Sequence, residues 1–186
     1  MRVIAGSARR LHLVTPEGEE TRPTQDRIKE TLFNVIQNDV PGCVFVDVCS
    51  GSGGIGIEAL SRGAARAYFI ENAMKPYRCL MENLETTGLS ERATVLRSDV
   101  LVALRSIREP VADVIYFDPP YAAGLYEPVL TLLAAMPYVT EDTLIIAESD
   151  KGRDMSFAEG LGLTIIREKE YKHNKHFFIR KAGAAI

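Results

Sequence analysis

The chain is short of cysteine, of long apolar runs and of excess positive charge, and each shortage narrows what it can be. Its three cysteines, Cys43, Cys49 and Cys79, are odd in number and show no C-x-x-C spacing. That argues against a disulfide framework or a cysteine-built zinc site and fits a reducing cytosol. The longest apolar runs, such as "VFVDVC" and "TLIIAE", fall far short of the roughly 20 residues that cross a bilayer. The opening "MRVIAGSARRLHL" lacks a long apolar stretch and soon turns basic, so no secretory signal is expected and the chain reads as cytoplasmic. Lys and Arg number 22 against 25 Asp and Glu, a formal charge of −3. Proteins that coat nucleic acid through bulk charge are usually basic, so nucleic acid would have to meet a local patch. His12, His173 and His176 are not spaced as a metal site, and no metal is expected.

What is present is the making of one α/β unit. The 186 residues suit a single domain, and 46% hydrophobic with 25% charged residues is ordinary soluble usage. Residues 1–40 read as an extension. "RVIAG" and "LHLV" suggest a small β-hairpin around "SARR". "TQDRIKETLFNVI" then suggests a helix with Thr24 as N-cap and Ile28, Leu32, Val35 and Ile36 on its apolar face. Residues 41–186 alternate strand and helix: "VFVDVC", "IGIEALSRG", "ARAYFIE", "KPYRCLMENLETTG", "ATVLRSD", "VLVALRSI", "ADVIYFDPPY", "YEPVLTLLAAM", "DTLIIAES". Such alternation predicts a doubly wound, mostly parallel sheet covered on both faces. The tail "LTIIREKEYKHNKHFFIRK" predicts a closing antiparallel hairpin. Alternation along it places Phe177 and Phe178 on opposite faces, one in the core and the other partly exposed.

Two motifs carry chemistry. In "VDVCSGSGGIGIEAL", Gly51, Gly53 and Gly56 form G-x-G-x-x-G after a strand and before a helix, and Glu71 ends the next strand. Glycines allow close backbone approach, the helix offers free N–H groups, and a carboxylate at that strand end can hold ribose hydroxyls. On this motif alone the ligand is NAD or S-adenosylmethionine. Asp47, inside the first strand, tilts the choice: a carboxylate suits an amino acid and a sulfonium and is an awkward neighbour for pyrophosphate. Asp99 can reach an adenine amine, and Ser98 or Asp99 can equally cap the helix that follows. The second motif is Asp118-Pro119-Pro120-Tyr121, at the end of the fourth strand, on the sheet edge where such folds bind ligands. The Asp118 carboxylate and the Pro119 carbonyl can accept both N–H bonds of an amino group on a planar ring, freeing its lone pair for methyl transfer. The proline pair aims that carbonyl, and Tyr121 can stack on an extruded base.

These motifs resemble the class I S-adenosylmethionine-dependent amino methyltransferases. "RVIAGSARRLHLVTPEGEETRPTQDRIKETLFNVI", with "SGSGGIGIEALSRGA" and "FDPPY", resembles more narrowly the RsmD-type family, along nearly the whole chain. That family methylates the 2-amino group of one guanine in bacterial 16S ribosomal RNA, leaving S-adenosylhomocysteine as product. The departure is "DVCSGSG" where the family usually carries a Phe and an Ala before the first glycine, which bears on how the loop packs around Cys49 and Ser50. The resemblance implies a class I methyltransferase (Rossmann-like) seven-stranded fold. It assigns Asp47, Gly51 and Gly53 to the methionine part of the cofactor, Glu71 to the ribose and Asp99 to the adenine, with Ser50, Asn72 and Ser98 also in the cofactor site. Asp118, Pro119, Pro120 and Tyr121 would face the guanine amine.

For RNA, Arg2, Arg9, Arg10, Arg22, Thr24 and Arg27 form the candidate contact rim. Each arginine taken alone reads as a solvated charge; as a cluster on an acidic protein they read as a phosphate site. The expected partner is 16S rRNA or the small subunit, and a monomer is favoured. The rivals are an amino methyltransferase acting on adenine in nucleic acid or on a protein glutamine, an NAD oxidoreductase, and a cofactor-free RNA-binding factor. The oxidoreductase leaves the Asp118–Tyr121 turn unexplained, and the RNA-binding factor explains the arginines alone.

Overall fold

The computed structural model describes residues 1–17 and 23–183. Seven strands build one sheet: β1 (Val44–Val48), β2 (Arg66–Ile70), β3 (Ala93–Leu96), β4 (Val114–Phe117), β5 (Leu144–Asp150), β6 (Leu163–Glu170) and β7 (Asn174–Lys181). Their order is β3-β2-β1-β4-β5-β7-β6. The first five pair in parallel, and β7 runs antiparallel between β5 and β6. The predicted alternation and closing hairpin are therefore both present. The helices are α1 (Pro23–Val35), α2 (Gly54–Ser61), α3 (Met74–Thr87), α4 (Val100–Ser106), α5 (Tyr126–Ala135) and the short α6 (Phe157–Gly160). The sequence reading did not anticipate α6, whose four residues are too few to show a period.

The pleat sends alternate residues to two cores. Val46, Val48, Ile115, Phe117, Ile145, Ala147 and Phe177 pack under α4 and α5. Phe45, Val114, Tyr116, Leu144, Ile146 and Phe178 pack under α1, α2 and α3. Phe177 and Phe178 do lie on opposite faces, but each is only 2% exposed. The expected exposure of one fails because both faces of the sheet are covered.

The extension departs most from expectation. Its two arms form a single antiparallel bridge, Arg2 to His12, rather than a regular hairpin. Backbone bonds still join the arms, Val3 N to Leu11 O at 3.0 Å and Leu13 N to Met1 O at 2.8 Å, and side chains of α2 and α3 hold much of the rest. Glu58 accepts from Ile4 N at 2.8 Å and Ala5 N at 3.0 Å. Ser61 Oγ donates to Ala5 O at 2.6 Å and accepts from Ala8 N at 3.0 Å. Asn83 bonds both polar groups of Val14. Gly6 sits at φ +84, and a Cβ there would lie 1.8 Å from the Ser61 carbonyl oxygen, so only glycine permits the approach. Val3, Ala8 and Leu13 are buried in the same core as α1 and the sheet. The described helix α1 runs from Pro23, where proline's missing N–H is tolerated. Thr24 thus lies inside the helix and is not its N-cap, and Arg22 lies outside the described residues.

Glu58 is fully buried and is also paired with Arg62 at 2.7 Å and Lys29 at 3.5 Å. Glu58→Ala would strand the buried Lys29 ammonium and two backbone N–H groups. It should cost about 3–5 kcal/mol, read as a lower midpoint in urea unfolding.

Candidate functional site

The chain runs outward from β1 to β3, then returns to place β4 on the other side of β1. The switch point lies between β1 and β4, where open α/β sheets bind ligands at the strands' carboxyl ends. The glycine loop leaves β1 there, and Asp118-Pro119-Pro120-Tyr121 leaves β4 there. Both motifs reach one edge because β1 and β4 are in register up to Val48 and Phe117.

Two cavities open on this edge. One, of about 620 Å³, is lined by Gly51, Glu71, Asn72, Ser98, Asp99 and the Asp118–Tyr121 turn, among others. The other, of about 860 Å³, lies under the extension and includes Asp47, Ser50, Asp118, Tyr121 and Glu148 in its wall. Cys49, Gly51, Asp118 and Tyr121 line both. The expected cofactor residues are therefore divided. Gly51, Glu71, Asn72, Ser98 and Asp99 share the first cavity, while Asp47 and Ser50 line the second. Gly53 lines neither. It starts α2 at φ +84, and a Cβ there would lie 2.4 Å from Leu80, so its visible duty is packing.

Each carboxylate is held differently. Glu71 accepts from Gly51 N at 2.9 Å and Ala73 N at 2.7 Å, tying the β2 end to the loop. Asp99 caps α4, its Oδ1 accepting from Leu101 N and Val102 N, so the capping reading is realised. Asp47 is 2% exposed and accepts from Gly56 N at 2.7 Å. Burial pushes its carboxyl up to about 7; the Gly56 N–H opposes this and Glu71 adds to it. Asp118 makes no side-chain hydrogen bond to any described residue. Burial, then Glu148, then Asp47, pushes its carboxyl well above the usual carboxylate range. The Pro119 carbonyl likewise accepts no hydrogen bond from a described residue, whereas Pro120 O accepts from Ala123 N at 2.8 Å. Tyr121 is 40% exposed at the cavity mouth. Cys49, at φ +61, has its thiol pushed up to about 12 by burial, so it is inert near neutral pH.

The arginines gather too. Arg2, Arg9, Arg10 and Arg27 line a cleft of about 570 Å³ with Asp26 and Glu30. Arg2 pairs with Asp26 at 3.2 Å. The cleft adjoins the larger cavity, since Met1, Ile28 and Lys29, the chain neighbours of Arg2 and Arg27, line the latter. Arg22 lies outside the described residues, as does the side chain of Thr24.

The family described as Conserved hypothetical protein 95 matches residues 1–180. The chain belongs to that family. It is 38% identical to YlbH of Bacillus subtilis over 172 residues, 91% of this chain and 92% of that one. It is 34% identical to the ribosomal RNA small subunit methyltransferase D of Haemophilus influenzae over 171 residues, 91% of this chain and 88% of that one. Among solved structures, the yhhF protein of Escherichia coli superposes with a TM-score of 0.83, at 30% identity and 98% coverage of both chains.

One part of this family member's site escaped the sequence reading. Tyr116, Glu148, Asn174 and His176 line the larger cavity as a hydrogen-bonded group. The signal for Glu148 was available: Leu144, Ile146 and Glu148 alternate on one face, so a charge ends an apolar row at the sheet's carboxyl edge. His176 had no such signal, because it meets Glu148 through the β5–β7 pairing.

The raised Asp47 carboxyl has a consequence for pH. Its unfolded value is about 4, so between about 4 and about 7 the folded protein keeps a proton that the unfolded chain releases. This contribution to stability is whole below about 4 and lost as pH rises to about 7. Asp47→Asn keeps an acceptor for Gly56 N–H without the charge. Its melting temperature relative to wild type should rise from pH 5 to pH 8; a difference independent of pH would contradict the assignment.

Proposed function

We propose that the protein transfers a methyl group from S-adenosylmethionine to the 2-amino group of a guanine in small-subunit ribosomal RNA, in the cytoplasm. The observation that carries the reading is the pair of unengaged acceptors, the Asp118 carboxylate and the Pro119 carbonyl, where the two cavities meet. The name of the Haemophilus relative supports the substrate class.

The residues present fit the cofactor. A Cβ on Gly51 would meet nothing within 4 Å, so the backbone stands open to the cavity. Glu71 and Asp99 place acceptors along the same cavity. Ser50 Oγ is buried with no partner. Glu71 and Asn72 would hold the ribose, Ser98 and Asp99 the adenine, and Gly51, Ser50 and Asp47 the amino-acid end. Once bound, the cofactor supplies an electrophilic methyl group on a positively charged sulfur. Glu148, which its donors keep charged, would repel a pyrophosphate, which disfavours a dinucleotide in the same place.

The chain's own work falls on the base. Asp118 and Pro119 accept the two amine N–H bonds and draw the nitrogen out of conjugation. Preorganised acceptors of this kind cost no reorganisation when the bond forms. The nitrogen becomes acidic as it bonds carbon, and Asp118, with its raised proton affinity, is suited to take that proton. Tyr121 stacks on the base, worth about 1–3 kcal/mol. The arginine cleft takes phosphates and positions the strand.

Labelled methyl transfer to small subunits and naked 16S rRNA from cells lacking this gene, with duplex DNA alongside, tests the reading. Label should appear in one rRNA nucleotide as N2-methylguanine; label only in DNA or protein would overturn the substrate. Asp118→Ala should lower kcat by about 100-fold or more while leaving cofactor affinity unchanged. Arg9→Ala with Arg10→Ala should weaken RNA binding and make the log–log salt slope shallower by about 1.4–1.8. An unaltered slope would remove the cleft from the RNA site.

A further inference from the structure

Glu148 is the β5 counterpart of Asp118. Strands β4 and β5 are in parallel register at Phe117 and Ala147, so the next residues, Asp118 and Glu148, lie side by side at the sheet edge. Both line the larger cavity. Three donors hold the Glu148 carboxylate. Tyr116 Oη and, at 2.9 Å, His176 Nε2 meet Oε2; Asn174 Nδ2 meets Oε1. The Tyr171 hydroxyl reaches His176 Nδ1 at 3.2 Å; with that hydroxyl donating, Nε2 keeps its proton for Glu148. Burial pushes the Glu148 carboxyl up, but the bonds from His176, Tyr116 and Asn174 outweigh it and hold the group below its ordinary value. The side chain is nonetheless 13% exposed. A carboxylate offers about four lone-pair sites, so with three donors placed one remains, on Oε1.

Stability does not call for a charge there. The preceding residues on the same face, Leu144 and Ile146, are apolar and buried, and burying a carboxylate is costly. Four side chains of β4, the β6–β7 turn and β7 keep an anionic acceptor beside the acceptor pair of Asp118 and Pro119.

We infer that Glu148 reads the ring N1–H of the target base and so makes the site selective for guanine, an inference that rests on the guanine reading above. Guanine carries an N–H donor at N1, next to its 2-amino group. Adenine carries a lone pair at N1, next to its 6-amino group. With the amine held by Asp118 and Pro119, an acceptor alongside completes guanine's donor row. The same acceptor sets lone pair against lone pair for adenine. Sites built to bond a substrate N–H reject analogues that lack it far more strongly than apolar pockets reject a change of size.

The test replaces the target guanine in a reconstituted small subunit with 2-aminopurine, which keeps the 2-amino group but has an unprotonated N1. Wild type should prefer guanine by about 100-fold or more in kcat/KM. In Glu148→Gln the new amide can donate to that nitrogen. Asn174, whose Oδ1 is buried without a partner, can turn its own amide to accept the other Gln N–H. The variant should lose guanine turnover, narrow the preference at least tenfold, and bind S-adenosylmethionine as wild type does. A merely structural role would lower both substrates together and leave the ratio intact. An unchanged ratio in a folded, cofactor-binding variant overturns the inference. Equal turnover of both bases by wild type overturns it with no variant needed. Wild type inactive on the guanine particle overturns the guanine reading itself, which separates the two failures.

Discussion

The buried Glu58 carboxylate is the constraint on which the site depends. It projects from α2 of the sheet domain, yet two of its partners are backbone N–H groups of the extension and another is Lys29 of α1. Lys29 in turn donates to Arg2 O at 2.6 Å. One charged group therefore positions three pieces of chain that share no regular hydrogen-bond ladder. Those pieces form one wall of the larger cavity and of the arginine cleft. A carboxylate can organise irregular backbone because it accepts several donors at once, while a strand partner must match them one by one. Its burial is tolerable only because Arg62, Lys29 and two N–H groups meet it together.

Three carboxylates of the sheet crowd the larger cavity, and the fold handles each by different means. Glu148 is surrounded by donors and stays charged. Asp47 has one backbone N–H and an elevated proton affinity. Asp118 has no partner among the described residues and is pushed up by burial first, then by Glu148 and Asp47. The uncompensated cost of burial and repulsion thus falls on the residue at the junction of the two cavities. A folded chain retains such local conflict where a ligand relieves it. A cationic sulfur and an amine that donates two N–H bonds are both of the kind that would.

Much of this was legible in the sequence, for reasons specific to each element. Strand–helix alternation showed the parallel sheet, because buried β-branched runs and glycine-closed helices leave few other arrangements. Asp47, Glu71, Asp99 and Asp118 were visible because each lies near the carboxyl end of a strand, and those ends converge on one side of such a sheet. What stayed hidden depended on partners distant in the chain. The extension read as a hairpin because its apolar spacing suits strands; nothing local shows that Glu58, Ser61 and Asn83 take its backbone groups. His176 read as idle because its partner, Glu148, lies 28 residues earlier across a strand pair. Gly53 was assigned to the ligand through the glycine motif and the family resemblance; in the fold, a Cβ there would first meet Leu80, on α3.

Affinity and selection are separated in space. The arginine cleft is built from the extension and α1; on the proposed reading it carries charge that any phosphate backbone satisfies and would hold RNA without choosing a base. The acceptors lie beyond it, on β4 and β5, in a cavity whose wall also carries Asp47. On the proposed reading, the charged Glu148 would disfavour RNA backbone there, while a neutral base with its donors facing inward would fit. An acidic protein could thus serve a polyanion, with positive charge at the rim and acceptors inside. On that reading the two regions would work as one site only while Glu58 keeps the extension seated against α2, so that selectivity for the base would depend on the packing of the fold.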